Sequence, residues 1–113
     1  MPFAHKFSVS SIIVNSGDTL SAPFAWPRSA PLGIILPILA PTSLYIQVGW
    51  MPASDASFAR AHSVVADGEY IISAGSGDIA KDLAEVGWAW PYARLELGTA
   101  QAEDRIFAVI SKV

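Results

Sequence analysis

The stretch of residues 85–99, EVGWAWPYARLELGT, changes character in its middle and indicates how this chain folds. Its first half concentrates two tryptophans, a proline and a tyrosine between positions 88 and 92. From position 93 onwards, the apolar residues at 93, 95 and 97 alternate with Arg94 and Glu96. This is the period of a strand with one buried and one polar face. The stretch therefore predicts a half-buried β-strand that begins beside an unusually aromatic segment.

Short apolar runs recur about every ten residues along the whole chain, separated by Gly, Pro, Asn, Asp and Ser. This spacing is typical of a β-sandwich or a β-barrel rather than of helices. It predicts an all-β fold of about eight strands, at 7–14, 19–24, 33–39, 43–50, 58–65, 69–73, 92–97 and 105–112. The last of these is apolar at nearly every position, which fits a strand covered on both faces or one that reaches a subunit contact.

Two turns follow from residues that tolerate positive φ. The segment NSGD at 15–18 predicts the turn that joins the first two strands. The dipeptide DG at 67–68 predicts a two-residue type I′ hairpin. In that hairpin Val65 lies opposite Tyr70, and Val64 lies opposite Ile71.

One segment departs from the strand pattern. In GDIAKDLAEVG, residues 77–87, Ile79, Leu83 and Val86 recur at helical spacing. Asp78 is placed to cap the first turn and Gly87 to end the last one. We therefore expect one short helix near residues 78–86.

The composition predicts one domain, 1–113, that works against protein neighbours, with residues 1–6 as an N-terminal arm. Of its 113 residues, 52% are apolar and 15% are charged, whereas an ordinary soluble domain has about 25% charged residues. The longest apolar run, LGIILPILA at 32–40, is too short for a membrane span and contains Pro37. The apolar surface is therefore expected to be covered by protein, through self-association, and not by a membrane.

The net charge, the cysteine content and the first residues of the chain argue against nucleic acid, disulfides and secretion. A net charge of −3 without a Lys or Arg run argues against nucleic acid. The chain has no cysteine, which removes disulfides and thiolate metal sites. The first residues lack the apolar core of a secretory signal, so we expect synthesis in a cytoplasm, with the mature chain beginning at or near Met1.

The sequence shows no set of residues with the spacing of a catalytic site. The only histidines are His5 and His62, and both are expected to have structural roles. The carboxylates are scattered over turns and the expected helix, and the glycines lack the spacing that holds phosphates. We therefore expect no enzyme activity, no cofactor and no metal.

Aromatic residues are the conspicuous feature of the chain. They are compatible with a core, a sugar-stacking platform or a protein interface, and aromatics are over-represented at interfaces. Five are candidates for a protein interface: Trp26, Trp50, Trp88, Trp90 and Tyr92.

The residues from 77 to the C-terminus follow a pattern of an acidic turn, a short apolar segment, an aromatic leading into a strand, a GT loop, then DR and a final apolar strand. The residues that carry this pattern are Asp78, Leu83, Tyr92, Arg94, Leu95, Gly98, Thr99, Asp104 and Arg105. In these positions, and more loosely in SGDTLSAPF and PLGIILPILAPTSLYIQVGW, the chain resembles small structural proteins of tailed bacteriophages, of the capsid decoration or cement type. It departs from them in MPASDAS, at 51–57, and in its tryptophans at 88 and 90.

The resemblance implies a jelly-roll-like β-sandwich that assembles as a homotrimer on the capsid exterior of a virion. There it would bind the shell of major capsid protein and reinforce the contacts between its subunits. The alternative is a carbohydrate-binding or receptor-binding β-sandwich on a phage tail or fibre, with Trp88, Trp90 and Tyr92 as its stacking face.

Overall fold

The computed structural model describes residues 7–26, 32–65, 68–75, 79–83 and 90–112. Within these ranges the chain forms strands and one 3-10 turn at Asp55–Ser57. The strands are β1 (Phe7–Val14), β2 (Phe24–Ala25), β3 (Leu32–Leu36), β4 (Thr42–Gly49), β5 (Ala59–Arg60), β6 (Ile71–Ala74), β7 (Ile79–Asp82), β8 (Tyr92–Leu97) and β9 (Arg105–Lys112). The all-β prediction is confirmed, and β1, β8 and β9 have the predicted bounds.

The strands form two antiparallel sheets that pack face to face. Sheet I has the order β1-β9-β3-β7, and sheet II has the order β2-β8-β4, with β5 and β6 both paired to the far side of β4. The chain crosses between the sheets at most connections, and this strand order is that of a jelly roll. The predicted β-sandwich is therefore confirmed, and the alternative of a β-barrel is not.

The core lies between the sheets and follows from the period of two along each strand. In β8, the alternation read from the sequence holds: the alanine and leucines at 93, 95 and 97 are at most 1% exposed. The core as a whole is built from side chains of both sheets. Among the largest fully buried side chains are Phe107, Ile34, Leu36, Leu44, Ile46, Leu95, Leu97 and Val109.

One end of the sandwich is closed by polar contacts among three loops. The NSGD turn forms as predicted, with Gly17 at φ +79° and the Asp18 amide donating to the Asn15 carbonyl at 3.0 Å. The buried Gln101 accepts from the Ala40 amide through Oε1 at 2.8 Å, and its carbonyl accepts from the Gly17 amide at 2.9 Å. Gln101 thus joins the β1–β2, β3–β4 and β8–β9 connections, and we call this the closed end.

The predicted helix near residues 78–86 is wrong where the structure describes it. Residues 79–82 are strand β7, which pairs antiparallel with β3 from Leu36↔Ile79 to Gly33↔Asp82. A helix this short is marginal on its own, whereas pairing satisfies the open backbone edge of β3. Asp78, Val86 and Gly87 lie outside the described residues.

The predicted hairpin register is also wrong. His62 pairs with Glu69, the Ser63 amide donates to the Gly68 carbonyl at 3.1 Å, and the Tyr70 amide donates to the Ala61 carbonyl at 2.9 Å. Val64 and Val65 therefore lie in a longer connection, 62% and 71% exposed, and do not face Ile71 and Tyr70. The observed register places Ala61 opposite Tyr70, and both are buried. A two-residue turn would have placed an exposed valine opposite the buried tyrosine.

Trp26 belongs to the core. It is 2% exposed, its amide donates to the Pro91 carbonyl at 2.9 Å, and its ring lies 6.4 Å from that of Phe24. Its indole Nε1 has no hydrogen-bond partner among the described residues. Trp26 thus stabilises the fold and offers no surface to a partner chain.

We expect Trp26→Ala to lower the free energy of unfolding by about 3 to 5 kcal/mol, because it opens a large cavity. Trp26→Phe should cost less, since it keeps a ring and removes the unpaired N–H. Denaturant unfolding measures both, with Trp50→Ala as the exposed control, expected to stay within about 0.5 kcal/mol of the parent. Equal losses for Trp26→Ala and Trp50→Ala would contradict the core assignment.

Candidate protein interface

The outer face of sheet I carries a patch of apolar side chains, beside the polar Ser11 and Asp82, that the described residues leave exposed or half-buried. Its outward side chains come from positions that face each other across the strands, such as Ile13↔Ile106, Val9↔Ile110 and Ile35↔Ala108. Val9, Ile13, Ile35 and Ile106 are 61%, 47%, 43% and 58% exposed. We call the following six residues the aliphatic face: Val9, Ile13, Ile35, Ile106, Ala108 and Ile110.

The aliphatic face extends over three strands. Its six residues lie on β1, β9 and β3, about 4.8 Å apart and each advancing about 3.3 Å per residue, which gives it an area on the order of 200 Å². Contiguous apolar patches on monomeric proteins rarely exceed a few hundred Å² and are often functional when they approach that size. None of its six residues is charged or polar, so no side chain in it is paired with a charge.

The sequence contained the signal for this face. In β1 and β9, apolar residues stand at both odd and even positions, so that one set fills the core and the other faces outward. For β9, the structure buries Phe107 and Val109 and leaves Ile106 exposed. Among the described residues, nothing covers Ile106 on the outer face of β9, and a subunit contact through this strand stays a prediction.

The predicted aromatic candidates separate into different places. Gly49 pairs with Tyr92 at one end of sheet II, opposite the closed end, and Trp50 and Trp90 flank that pair in sequence. Trp50 and Trp90 are 58% and 42% exposed, and Tyr92 is half-buried. Trp88 lies outside the described residues.

Met51 is 51% exposed beside Trp50. We call Trp50, Met51, Trp90 and Tyr92 the aromatic end.

A tight contact positions the loop that carries Trp50 and Met51. The buried Ser57 hydroxyl donates to the Met51 carbonyl at 2.8 Å and accepts from the Met51 amide at 3.2 Å. A Cβ on Gly49 would lie 2.9 Å from the Ser57 carbonyl oxygen, closer than such atoms approach. The glycine thus lets the loop that follows Trp50 fold back against the end of β4.

The outer face of sheet II differs from that of sheet I, because it carries a chain of ion pairs and hydrogen bonds. Arg60 binds Glu96 through two bonds, Nε to Oε1 at 2.9 Å and Nη2 to Oε2 at 2.7 Å. Its Nη1 also lies 3.2 Å from Glu69, and its guanidinium stacks 3.7 Å above the Tyr45 ring. Gln47 donates to Glu96 at 2.8 Å.

Arg94 extends this network toward the 3-10 turn. Its Nε donates to Gln47 Oε1 at 2.6 Å and its Nη1 donates to Asp55 Oδ1 at 2.6 Å, with the guanidinium 4.5 Å above the Phe58 ring. The Arg94 side chain is 9% exposed, whereas that of Asp55 is 93% exposed. The alternation of Arg94 and Glu96 indicated a polar face, but their partners, distant in sequence, needed the fold.

The network shifts the pKa values of its members. Arg60 donates hydrogen bonds to the Glu96 carboxylate and so holds the pKa of this carboxyl below its usual range. Burial of Glu96 acts in the opposite direction but has the smaller effect. The same bonds raise the pKa of Arg60. Arg60 therefore stabilises the charged form of the Glu96 carboxyl.

In the described part of the chain, no group of three or more His, Asp or Glu side chains could hold a metal ion. No helix within those ranges has the length and apolarity to cross a membrane. Glu69 and Glu96, which approach a common point, are separated by the Arg60 guanidinium. The predictions of no enzyme activity and no cofactor stay predictions.

We expect Asp55→Ala to destabilise the fold more than Arg94→Met, although Asp55 is the exposed partner. Removing Asp55 leaves a buried guanidinium without its counter-charge, while removing Arg94 leaves a carboxylate that water solvates. We expect a loss of about 1 to 3 kcal/mol for Asp55→Ala and about 1 kcal/mol or less for Arg94→Met. Denaturant unfolding measures both losses.

Glu103→Ala is the matched control, because Glu103 is another exposed acid beside an arginine, at 3.8 Å from Arg105. We expect it to cost less than about 0.5 kcal/mol. A larger loss for Arg94→Met than for Asp55→Ala would contradict the argument.

The lowered pKa of Glu96 predicts a pH dependence. Its contribution is fully present above the unfolded value of about 4.3, and it is lost as the pH falls through the lower folded value. Between pH 7 and pH 3, the thermal midpoint of the parent should therefore fall further than that of Glu96→Gln. Equal falls would show that Glu96 is not linked to stability.

Comparisons with known proteins bear on the fold. No protein-family model and no curated protein matches the chain. Among solved structures, the chain is similar to the SPBc2 prophage-derived protein YomS, with a TM-score of 0.56 and 7% sequence identity. The match covers 97% of this chain and 96% of that one. At this identity the likeness shows a shared fold over the whole length of both chains.

Proposed function

We propose that this chain is a non-enzymatic structural protein of a phage virion, of the capsid decoration or cement type. It binds the shell of major capsid protein from the capsid exterior and stabilises it. The observation that carries the proposal is the exposure of two separate apolar surfaces, the aliphatic face and the aromatic end, on one small domain. A protein that contacts both its own copies and a shell needs two such surfaces.

Two further facts support a phage role. The fold is shared with a prophage-derived protein of nearly the same length. The residues of β8, the GT loop and β9 also carry the resemblance to small tailed-phage structural proteins.

The two surfaces suit different partners. Three of the four residues of the aromatic end are aromatic, and tryptophan and tyrosine are the residues that most often act as binding hot spots. We assign the aromatic end to the shell. The aliphatic face is neutral and suits association between copies, and the resemblance implies three copies.

The alternative is a carbohydrate-binding or receptor-binding module on a tail or fibre. The exposure of Trp50 and Trp90 at the same end of sheet II favours it, because sugar rings stack on exposed indoles. It differs from the first proposal in the location of the chain on the particle and in its ligand.

The location is tested directly on virions of the phage that carries this chain's gene. Gold-labelled antibodies against the chain should mark the head of the particle. Labelling of the tail or fibres would favour the carbohydrate-binding alternative, and particles without the chain would overturn both proposals.

The assignment of the aromatic end predicts that Trp50→Ala with Trp90→Ala weakens binding to particles that lack the chain. Each truncated hot spot costs about 2 kcal/mol or more, so the two together should lower the affinity by several hundredfold or more. Because both side chains are exposed, the thermal midpoint should stay near that of the parent. Co-sedimentation with particles measures the binding.

The matched control is Val64→Ala with Val65→Ala, which truncates two exposed apolar side chains away from the aromatic end. It should bind like the parent. Undiminished binding by the tryptophan variant would show that the shell contact lies elsewhere. Loss of glycan binding with particle binding intact would favour the alternative.

A further inference from the structure

The free edge of sheet I differs from the other sheet edges. Strand β1 is the outermost strand of sheet I, and it pairs only with β9 among the described strands. Its eight residues, FSVSSIIV, pair with β9 in one unbroken register. The outer side of β1 therefore presents a straight row of backbone N–H and C=O groups to its surroundings.

Natural proteins protect such edges with charge, proline, bulges or short length, and β1 has none of these. It contains no charged residue, no proline and no glycine. The edge strands β2 and β5 span two residues each, and β6 and β7 span four. Strand β7 also carries Lys81 and Asp82. The long edge of β1 is thus the exception.

The first half of β1 is also exposed on both of its faces. Val9 and Ser11 lie on the outer face, and Ser8 and Ser10 lie on the face toward sheet II, yet all four are exposed. Ser10 pairs with Val109, which is 2% exposed. The sandwich is therefore open along this edge, and an added strand meets no covering element among the described residues.

We propose that β1 pairs antiparallel with β1 of a second copy of this chain, about a two-fold axis. A second copy fits because the strand is self-complementary: it is uncharged, so two copies bring no like charges together even though each chain carries a net charge of −3. The pairing joins two four-stranded sheets into one of eight strands. It also joins the two aliphatic faces into one continuous surface.

The symmetry fixes the register closely. A two-fold axis perpendicular to the sheet keeps outer face with outer face, so one residue of β1 must lie opposite its own counterpart. Two registers pair most of β1. One places Ser10 opposite its own counterpart at the axis, and the other places Ser11 there. Paired in this way, two copies form a dimer, whereas the resemblance implies three copies.

The test uses opposite charges at one position of the whole chain. Ser10→Lys and Ser10→Glu each place like charges across the axis, and like charges directly opposite each other destabilise strand pairing. Each variant alone should need about two- to fivefold higher concentration to dimerise than the parent. An equimolar mixture of the two should restore dimerisation as a heterodimer. Sedimentation and native mass spectrometry measure mass and composition.

Ser73→Lys is the matched control, because Ser73 is an exposed serine on the four-residue edge strand β6 of the other sheet. It should dimerise like the parent. A parent that is monomeric or trimeric at all micromolar concentrations would overturn the proposal, as would a mixture that fails to restore the dimer.

A second measurement needs no variant. Amide hydrogen exchange of β1 should slow as the parent concentration rises through the dimerisation range, because pairing protects the edge amides. Exchange in β1 that is independent of concentration while the mass doubles would show that the copies meet elsewhere. Binding to particles is measured separately, so this proposal and the decoration role can fail independently.

Discussion

The antiparallel pairing of β4 with β8 is the contact on which the rest of sheet II depends. It runs through six residue pairs, from Leu44↔Leu97 to Gly49↔Tyr92. Because side chains alternate along both strands, this one register sends the leucines into the core and Gln47, Arg94 and Glu96 to the outside. A slip of one residue would bury the ion-pair network and expose the core.

The sequence predicted the long strands well and the short ones poorly. β1, β8 and β9 have enough residues for alternation or apolar continuity to be distinctive. The two-residue strands β2 and β5 carry no period at all. In β7, Ile79 and Leu83 are four residues apart, a spacing that fits a helix locally. The segment forms a strand instead because it pairs with the backbone edge of β3.

The surfaces were harder to predict than the core, for a physical reason. The aromatic residues were visible in the sequence, but their exposure was not. Trp26 is buried in the core and Trp50 is exposed at the end of sheet II, and this difference depends on where the fold places each residue. The aliphatic face needs β1 beside β9, so its members are brought together from both ends of the chain. Likewise, Arg60 and Asp55 reach Glu96 and Arg94 only after the loops have folded back onto sheet II.

The closed end has a consequence for how the chain tolerates change. Gln101 ties three connections together through backbone groups of residues that are far apart in sequence, so an insertion into any one of them disturbs the other two. The connection that begins at Val64 carries no such tie in the described residues, and its valines stand free of the core. For engineering, this makes the β5–β6 connection the natural place to display a foreign peptide, whereas the loops around Gln101 are places to leave untouched.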